Sequence, residues 1–436
     1  MLDNLVTNLS WLIPTKWRWI FQHEGVRRYS TNTIWLFLGQ IFSLLISFFI
    51  GAWIARYFGP EKYGLVNYVL SFVGLFTFIV ALGTDGVLNR ELVNYPKKRD
   101  ELLGTSFWLR LFGGLLAFLI TVIGAYLFGE KNNFWRILIV LYSLSFFLQA
   151  PYVISNYFFS IVQAKKSVQA QFYVTLISSA LKICLILLGG SILWLILIYT
   201  IDCLWQSIFL FLLYRSQNLK VTDWRFQPRL AHQFWLDSWP LMLSSAAYFI
   251  YLRIDQVMVG RIMDESSVGI YAAAVRVTEI LYFIPNIICG SLFPAIIKAR
   301  QVGQEFFINR LKYLYLLLGS TGLIVAVLVS ILAEPLIAII FGPAYSSSAS
   351  VLKIYVWSSI GLFLGLGINQ QLTAENKTKT VFCINLIAMI INVSLNLVLI
   401  PVMGLLGAAV ATLISYCVIP VIVFIRSCSK NCLKTN

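Results

Sequence analysis

Eight charged residues stand inside long apolar runs of this sequence, where their types and spacing could do chemistry. In "YLRIDQVMVGR" (251–261), Arg253 and Asp255 lie near the end of an apolar run that begins near Phe234. An ion in the middle of a membrane helix costs at least about 2.5–3.5 kcal/mol, so each needs a partner or a water-filled cavity. Basic side chains there would bind anions, and carboxylates would carry protons or cations. The basic candidates are Arg110, Lys182, Arg253 and Arg276, and the acidic candidates are Asp85, Asp202, Asp255 and Glu279.

Two interpretations of these ions are open. Arg253 and Asp255 are two residues apart, so they project to roughly opposite sides of one helix and cannot neutralise each other. Counted back from the turn that follows, Arg253 is level with Glu279 and Asp255 is level with Arg276. Two salt bridges would then join neighbouring helices. Alternatively, Arg253 lines a water-filled cleft and binds an anion.

We favour the anion site. Lys182 lies at a depth similar to that of Arg253 and has no acid nearby in the sequence, and Arg110 lies closer to the cytoplasmic mouth. A column of cations along one cavity would suit a phosphate-bearing substrate that moves from inside to outside. The four carboxylates are the candidates for proton or cation coupling.

The composition predicts a polytopic membrane protein. Of the 436 residues, 59% are hydrophobic and only 12% are charged, and the mean hydropathy is +0.82. Soluble proteins carry about 25% charged residues. There are two histidines, His23 and His232, both outside the apolar runs, and the seven cysteines form no metal-binding pattern. We therefore predict no catalytic residue, no metal and no cofactor.

Twelve apolar runs are long enough to cross about 30 Å of hydrocarbon as helices. We call them spans one to twelve, and they cover residues 33–56, 65–88, 104–128, 135–158, 170–189, 192–214, 235–260, 270–297, 312–333, 350–371, 380–401 and 405–425. Tight hairpins at 189–191 and 401–404 are needed, because one span cannot cover 170–214 or 380–425. The sequence therefore predicts an all-α fold.

The basic residues predict the orientation. With the N-terminus inside, 23 lysines and arginines fall on the cytoplasmic side and 6 on the opposite side. This bias satisfies the positive-inside rule with both termini in the cytoplasm. It also explains the net charge of +15 without a nucleic acid partner.

Internal similarity predicts two six-helix halves. "ARYFGPEKYG" (55–64) and "GRIMDESSVG" (260–269) follow spans one and seven, and each places a glycine eight residues after an arginine. We expect Gly64 and Gly269 to supply tight turns. The predicted parts are a cytoplasmic or interfacial segment (1–32, with an interfacial helix at 11–22), an N-terminal half (33–214), a cytoplasmic linker (215–233), a C-terminal half (234–425) and a cytoplasmic tail (426–436). Transporters built in this way hold substrate between the halves.

Three stretches resemble one known family. They are "ARYFGPEKYGLVNYVLSFVGLFTFIVALGTDGVLNREL", "YLRIDQVMVGRIMDESSVGIYAAAVRVTEILYFIP" and "NVSLNLVLIPVMGLLGAAVATLIS". They resemble bacterial polysaccharide-biosynthesis flippases of the multidrug/oligosaccharidyl-lipid/polysaccharide (MOP) exporter superfamily. Phe58 replaces the leucine usual in the family's "AR-x-LGP-x-x-YG" turn. The resemblance covers most of the chain and is weakest from about 130 to 215.

The resemblance implies a function and partners. It implies a flippase of the bacterial inner membrane that moves undecaprenyl-diphosphate-linked oligosaccharide units for O-antigen, capsule or exopolysaccharide synthesis. The family's cavity is typically cationic, in agreement with Arg253, Lys182 and Arg276. Membrane lipids and the polymerase and chain-length proteins of the same pathway are the other expected partners. The alternatives are a drug/cation antiporter of the same superfamily and a membrane-embedded glycan polymerase or transferase.

Overall fold

The computed structural model of this protein describes residues 24–127, 133–375 and 377–432. Within those residues every regular element is a helix. This agrees with the apolar composition, because a helix satisfies its own backbone hydrogen bonds in lipid. The predicted interfacial helix at 11–22 lies outside the described residues. The protein is an all-α membrane protein.

The N-terminal half contains spans one to six. Its α-helices are Glu24–Gly74, Thr77–Ala81, Thr84–Asn94, Arg99–Leu127, Asn133–Ser143, Ser145–Leu148, Val153–Ser160, Ala164–Leu187 and Ile192–Arg215. Short 3-10 helices at Pro96–Lys98 and Ala150–Tyr152 precede span three and interrupt span four. The first helix holds two spans, since Gly59 has a φ of 72° and is followed by Pro60, which together break the helix between spans one and two.

The C-terminal half contains spans seven to twelve. Its α-helices are Pro228–Ile262, Glu265–Leu281, Phe283–Val302, Gln304–Ile340, Ser348–Tyr355, Ser358–Ala374, Thr378–Met403 and Leu405–Cys432. A 3-10 helix, Pro343–Tyr345, follows span nine. The segment between the halves is shorter than the predicted 215–233, because the helix of span seven begins at Pro228, and proline is favoured at the first helical position.

The described residues account for the twelve spans. Nine stretches in them are long and apolar enough to cross a membrane, and a tenth forms when Ser348–Tyr355 and Ser358–Ala374, bent by 41°, are joined. The first stretch, Gly39–Asn94, contains spans one and two, which Gly59 separates. Pro228–Ile262, 35 residues long, is not among these apolar stretches and corresponds to the predicted span seven. The chain therefore has about twelve transmembrane helices in two pseudo-symmetric halves.

Span two is not the continuous helix that the sequence predicts over 65–88. It is interrupted at Leu82 and Gly83, whose φ values are 48° and 69°. A Cβ on Gly83 would lie 2.6 Å from the Ser238 carbonyl oxygen and from the Met242 nitrogen of span seven. Glycine is thus required here for its positive φ and for the close approach of the two spans. Spans four, eight and ten are interrupted as well.

The two predicted hairpins are confirmed. Gly189, with a φ of 70°, lies between the helices Ala164–Leu187 and Ile192–Arg215. Gly404, with a φ of 59°, separates Thr378–Met403 from Leu405–Cys432. In each case a residue without a Cβ adopts the positive φ that a tight turn requires.

The prediction that Gly64 and Gly269 form tight turns is wrong. Both lie inside helices. A Cβ on Gly64 would collide with the carbonyl oxygen of Glu265, and a Cβ on Gly269 would collide with that of Pro60. The equivalent glycines of the two halves therefore let two helix backbones touch. The turns themselves come from Gly59 and from Asp264, whose side chain caps the next helix by accepting from the Ser267 nitrogen at 2.7 Å.

The turns that the sequence places on one side of the membrane lie close together. The Tyr57 hydroxyl donates to the Gly190 carbonyl at 3.2 Å, and the Tyr345 hydroxyl donates to the Ala55 carbonyl at 2.8 Å. We call this the outer side, and the opposite one the inner side. The packing supports the grouping of the loops, and the assignment of the inner side to the cytoplasm stays a prediction.

The apolar cores show where the two halves separate. The largest core joins both halves near the outer side and includes Phe48, Val69, Val259, Tyr271 and Phe341. Towards the inner side there are separate cores: one belongs to the N-terminal half and the start of span seven, and two belong to the C-terminal half. The halves thus share one core at the outer side and have separate cores at the inner side, where spans two and seven still touch at Gly83 and Ser238.

Candidate functional site

Lys182, a predicted site residue, has an acidic partner on the next span. Its Nζ lies 3.2 Å from Oδ2 of Asp202 and donates to the Ser178 Oγ at 2.6 Å, and Ser178 donates to Asp202 at 2.7 Å. The ammonium group also lies 4.1 Å from the centre of the Tyr199 ring, a cation–π contact. Lys182 is therefore not the unpaired cation that the sequence suggested, because spans five and six form a hairpin that brings Asp202 beside it.

These residues face a polar cavity of about 300 Å³. Spans one, four, five and six form its walls, and span eight of the other half contributes Arg276. Two side-chain oxygens near this cavity have no hydrogen-bond partner among the described residues. They are Oδ1 of Asp202 and Oε1 of Gln206. Both oxygens are buried, and an ordered water could satisfy them.

The sequence analysis missed several polar residues of this cavity, although their spacing is informative. Gln171, Thr175, Ser178 and Lys182 follow one another at intervals of four, three and four residues, which places them on one face of span five. Span six repeats the pattern with Tyr199, Asp202 and Gln206. A search for polar stripes within the predicted spans, rather than for charges alone, would have found them.

Arg276 and Arg253 share a single carboxylate, that of Glu279. Arg253 Nη1 lies 3.4 Å from Glu279 Oε1, and Arg276 Nη1 lies 3.8 Å from Oε2. Arg276 Nη2 also donates to the Ser47 carbonyl of span one at 3.5 Å, and Gly51 leaves space beside its guanidinium. The cluster therefore joins span seven to span eight and reaches across to the N-terminal half.

Both arginines are held loosely. A charge-assisted hydrogen bond between nitrogen and oxygen is normally about 2.7–2.9 Å long, and the two contacts to Glu279 are longer. The side chains of Arg253 and Arg276 are 39% and 38% exposed within the protein. Two guanidinium groups that share one carboxylate retain a net positive charge. They also retain N–H groups that can donate hydrogen bonds to a ligand.

The cluster lies near the middle of the membrane. Arg276 is eleven residues into the helix Glu265–Leu281, which places it about 16 Å from the outer end. Arg253 is nine residues before the end of Pro228–Ile262, or about 14 Å from the same side. The hydrocarbon layer is about 30 Å thick. The positive charge is thus concentrated at mid-depth between the halves.

The predicted level pairing of Asp255 with Arg276 is wrong. Asp255 is 3% exposed and accepts from the Tyr271 hydroxyl at 2.6 Å and from the Gln256 nitrogen at 2.8 Å. Thr412 of span twelve lies 3.4 Å from the same carboxylate. Span seven turns Asp255 into the largest apolar core, away from the cluster that contains Arg253.

Arg110 does not line the cavity with Lys182 and Arg276, contrary to the predicted column of cations. It is nearly buried and pairs with Asp85 of span two, which is about half exposed. Asn156 of span four donates to the same carboxylate at 2.6 Å. This group joins three neighbouring helices, so the four predicted cations belong to two separate places. No group of three possible metal ligands occurs within the described ranges.

Two six-helix halves that close around a polar, positively charged interface define a multi-pass membrane protein with the build of a transporter. The comparisons with known proteins agree. The model of the polysaccharide biosynthesis protein family matches residues 30–300, and a second family model, MatE, matches residues 240–398. The chain belongs to the polysaccharide biosynthesis protein family of the MOP superfamily.

Relatives and solved structures are similar in sequence or fold. The probable flippase AglR of Haloferax volcanii is 28% identical over 204 residues, 46% of this chain and 40% of that protein. The chain therefore matches less than half of that relative's length. The lipid II flippase MurJ in an inward closed conformation has a TM-score of 0.68 at 18% identity, covering 88% of this chain and 85% of MurJ. An inward-facing multidrug resistance MATE family transporter has a TM-score of 0.67 at 14% identity, covering 90% and 96%. These two similarities concern the fold.

Proposed function

We propose that this protein is a flippase for undecaprenyl-diphosphate-linked oligosaccharide units. It moves them from the cytoplasmic to the outer leaflet of a bacterial inner membrane for O-antigen, capsule or exopolysaccharide synthesis. Membership of the polysaccharide biosynthesis family supports a glycan substrate, and the relative AglR is named a probable flippase. The proposal assigns no catalytic residue and no cofactor.

One observation carries the proposal. Arg253 and Arg276 lie at mid-depth between the halves and share only Glu279, with contacts of 3.4 and 3.8 Å. A diphosphate offers several anionic oxygens, and arginine binds such groups through two parallel hydrogen bonds. Lys182, on the wall of the adjoining cavity, adds a third cation. Arg110, which pairs with Asp85 nearer the inner side, would meet the substrate on entry.

The division between the halves supports a direction of loading. The halves share one core near the outer side, where Gly64 and Gly269 let the helix backbones touch, and have separate cores towards the inner side. A substrate would therefore enter from the inner side. Rocking of the halves would then separate the two glycines and close the inner side.

Coupling to protons or cations would involve carboxylates that water can reach. Asp202 lines the cavity, and Glu279 is about one-quarter exposed between the arginines. Asp85, half exposed, is accessible too. Asp255 is the weakest of the four candidates, because it is surrounded by hydrogen-bond donors in an apolar core.

The expected partners follow from this substrate. Membrane lipids surround the twelve spans, and the polymerase and chain-length proteins of the same pathway would receive the product. The predicted cytoplasmic loops would account for the basic residues, so we propose no nucleic acid partner.

The test is flipping by purified protein in liposomes. Undecaprenyl diphosphate that carries the oligosaccharide is added, and a membrane-impermeant lectin reports the glycan that reaches the far leaflet. Arg253→Ala should reduce the rate about tenfold to a hundredfold, the loss of one charged contact. Arg253→Lys should recover part of it, because a point charge cannot replace the planar guanidinium. Arg229→Ala, an exposed arginine at the start of the same helix, is the matched control.

A double variant separates substrate binding from structure. If Arg253 mainly supports the fold through Glu279, then Arg253→Ala combined with Glu279→Ala should restore stability and flipping together. If Arg253 binds substrate, the double variant should be stable and inactive, and we expect this result. Restored flipping in the double variant would contradict the proposal.

Orientation is tested by cysteine labelling in intact cells. In a variant without the native cysteines, Ser347→Cys on the outer side should react with a membrane-impermeant maleimide, and Thr222→Cys between the halves should not. Both residues are exposed. Strong labelling at Thr222 alone would reverse the predicted topology.

A drug/cation antiporter is the second candidate function. The position of Asp202 favours it, since a carboxylate on the wall of a cavity can hold a cation. Export of an organic cation dye that depends on Asp202, without flipping of the lipid, would support this alternative.

A further inference from the structure

A second cavity lies in the inner part of the C-terminal half. Its volume is about 270 Å³, just below the range of about 300–1,000 Å³ for small-molecule sites. Spans eight and ten form its walls. We call it the amide pocket, after its polar lining residues Asn286, Asn369, Gln370 and Thr373.

The lining of the amide pocket contains neither an acid nor a base. Three carboxamides and a hydroxyl line the pocket together with Cys289, Phe293 and Leu366, and most of its accessible surface is apolar. Carboxamides donate and accept hydrogen bonds at once, and so do sugar hydroxyls. A charged ligand group would find no opposite charge in this lining. The chemistry of the lining therefore fits a neutral polyhydroxylated ligand.

The polar groups are oriented before any ligand arrives. Asn286 donates to the Tyr282 carbonyl at 2.8 Å, and the Thr373 hydroxyl donates to the Asn369 carbonyl at 2.7 Å, so the hydroxyl oxygen is left to accept. The Oε1 atom of Gln370 is buried and has no partner among the residues that the structure describes. A buried acceptor without a donor is costly, and a ligand hydroxyl that reaches it would recover this cost.

The position of the amide pocket matches one end of the proposed substrate. Asn286 follows Arg276 by ten residues along span eight, a distance of about 15 Å towards the inner side. A diphosphate held at Arg276 would therefore have the amide pocket on its inner side. Before flipping, the glycan of a lipid-linked unit lies on that side of its diphosphate.

We propose that the amide pocket binds a neutral sugar of the glycan while Arg253 and Arg276 hold the diphosphate. This rests on the function proposed above and adds a class of sugar to it. The C-terminal half would then contribute recognition of the glycan, and uncharged sugars would be preferred to uronic acids at this position.

The experiment compares two lipids with purified protein in detergent. One is undecaprenyl diphosphate alone, and the other carries a neutral trisaccharide of hexoses. The Gln370→Leu variant should lose about three- to tenfold of its affinity for the glycosylated lipid, the effect of one neutral hydrogen bond, and bind the sugar-free lipid normally. Gln217→Leu, which removes a carboxamide that pairs with Gln163 elsewhere on the inner side, should change neither affinity.

The outcomes distinguish the two proposals. If wild-type protein binds neither lipid, the flippase proposal fails. If it binds both and Gln370→Leu leaves their affinity ratio unchanged, the amide pocket proposal alone is overturned. A third lipid, which carries uronic acids, tests the proposal with wild-type protein alone. This test does not depend on whether the Gln370→Leu variant folds. Wild-type protein should bind this third lipid more weakly than the neutral one, and equal affinity would contradict the proposal.

Discussion

The buried polar side chains of the two halves find their hydrogen-bond partners in different ways. In the N-terminal half, Lys182, Ser178 and Asp202 bond to one another beside a cavity of about 300 Å³, and one oxygen of Asp202 has no partner in the described part of the chain. In the C-terminal half, Asp255 has three donors around it, including Tyr271, and is 3% exposed. One carboxylate faces a ligand space, and the other lies inside the core.

This difference indicates that the two halves, which share one architecture, have different roles. A charge beside a water-filled cavity can change partners at small cost, whereas a charge in a core keeps its partners or destabilises the fold. We therefore expect substitutions at Lys182 to affect transport, and substitutions at Asp255 to affect stability. The glycine contact of Gly64 with Gly269 holds the two environments together at the outer side.

The largest effect is expected for Asp255→Ala. The Tyr271 hydroxyl would lose its acceptor, at about 1–3 kcal/mol for a buried donor. The amount of folded protein in the membrane should fall sharply, and the melting temperature in detergent should fall with it. Size-exclusion profiles and thermal melts measure both.

Asp255→Asn is the control for this prediction. Asparagine keeps an acceptor oxygen of the same shape, so most of the stability should return. Stable Asp255→Asn protein that has lost transport would show that the carboxylate carries protons or cations, and the contrast between the two halves would then be wrong.

A smaller effect, on transport alone, is expected for Lys182→Met. Methionine has a similar length without the charge, and the loss of one charged contact should slow flipping about tenfold to a hundredfold. Lys353→Met is the matched control, because Lys353 pairs with Glu334 on the outer side with both side chains largely exposed. It should leave the rate unchanged.

The carboxylate of Asp202, which remains in the Lys182→Met variant, needs a separate control. Lys182→Met leaves Asp202 without its ammonium partner, so the combined variant with Asp202→Asn restores a neutral group. If Lys182 acts on substrate, this double variant should fold normally and stay slow. If it regains the normal rate, the pair is structural and the N-terminal half resembles the C-terminal one.

Much of the fold could be predicted from the sequence. The apolar runs gave the twelve spans, and the hairpins at Gly189 and Gly404 were identified because no single span fits 170–214 or 380–425. The interruption of span two at Gly83 was missed, since it depends on how closely span seven approaches. The same limit applies to Gly64, because close packing of two helices and a tight turn both select glycine.

The site could be predicted only in part. The sequence identified the charged residues, and depth counting found the contact of Arg253 with Glu279. It did not find the partners of Lys182 and Arg110, which come from other helices, and it misassigned Asp255. Depth along a helix can be counted from a turn, whereas the direction in which a side chain points depends on how the spans pack.

The smallest effect is expected at a charge pair that joins the same two halves at the surface. Arg90 of span two and Asp237 of span seven lie 2.7 Å apart at the inner side, with side chains about half exposed. Such exposed pairs are worth about 0–1 kcal/mol, because solvent screens the attraction. Arg90→Gln should therefore leave the folded amount unchanged and alter flipping less than twofold, both at low and at high salt.

If Arg90→Gln instead speeds flipping, and Asp237→Asn does the same, then this pair holds spans two and seven in one state. Control of transport would then lie at the inner surface as well as in the cavity of the N-terminal half.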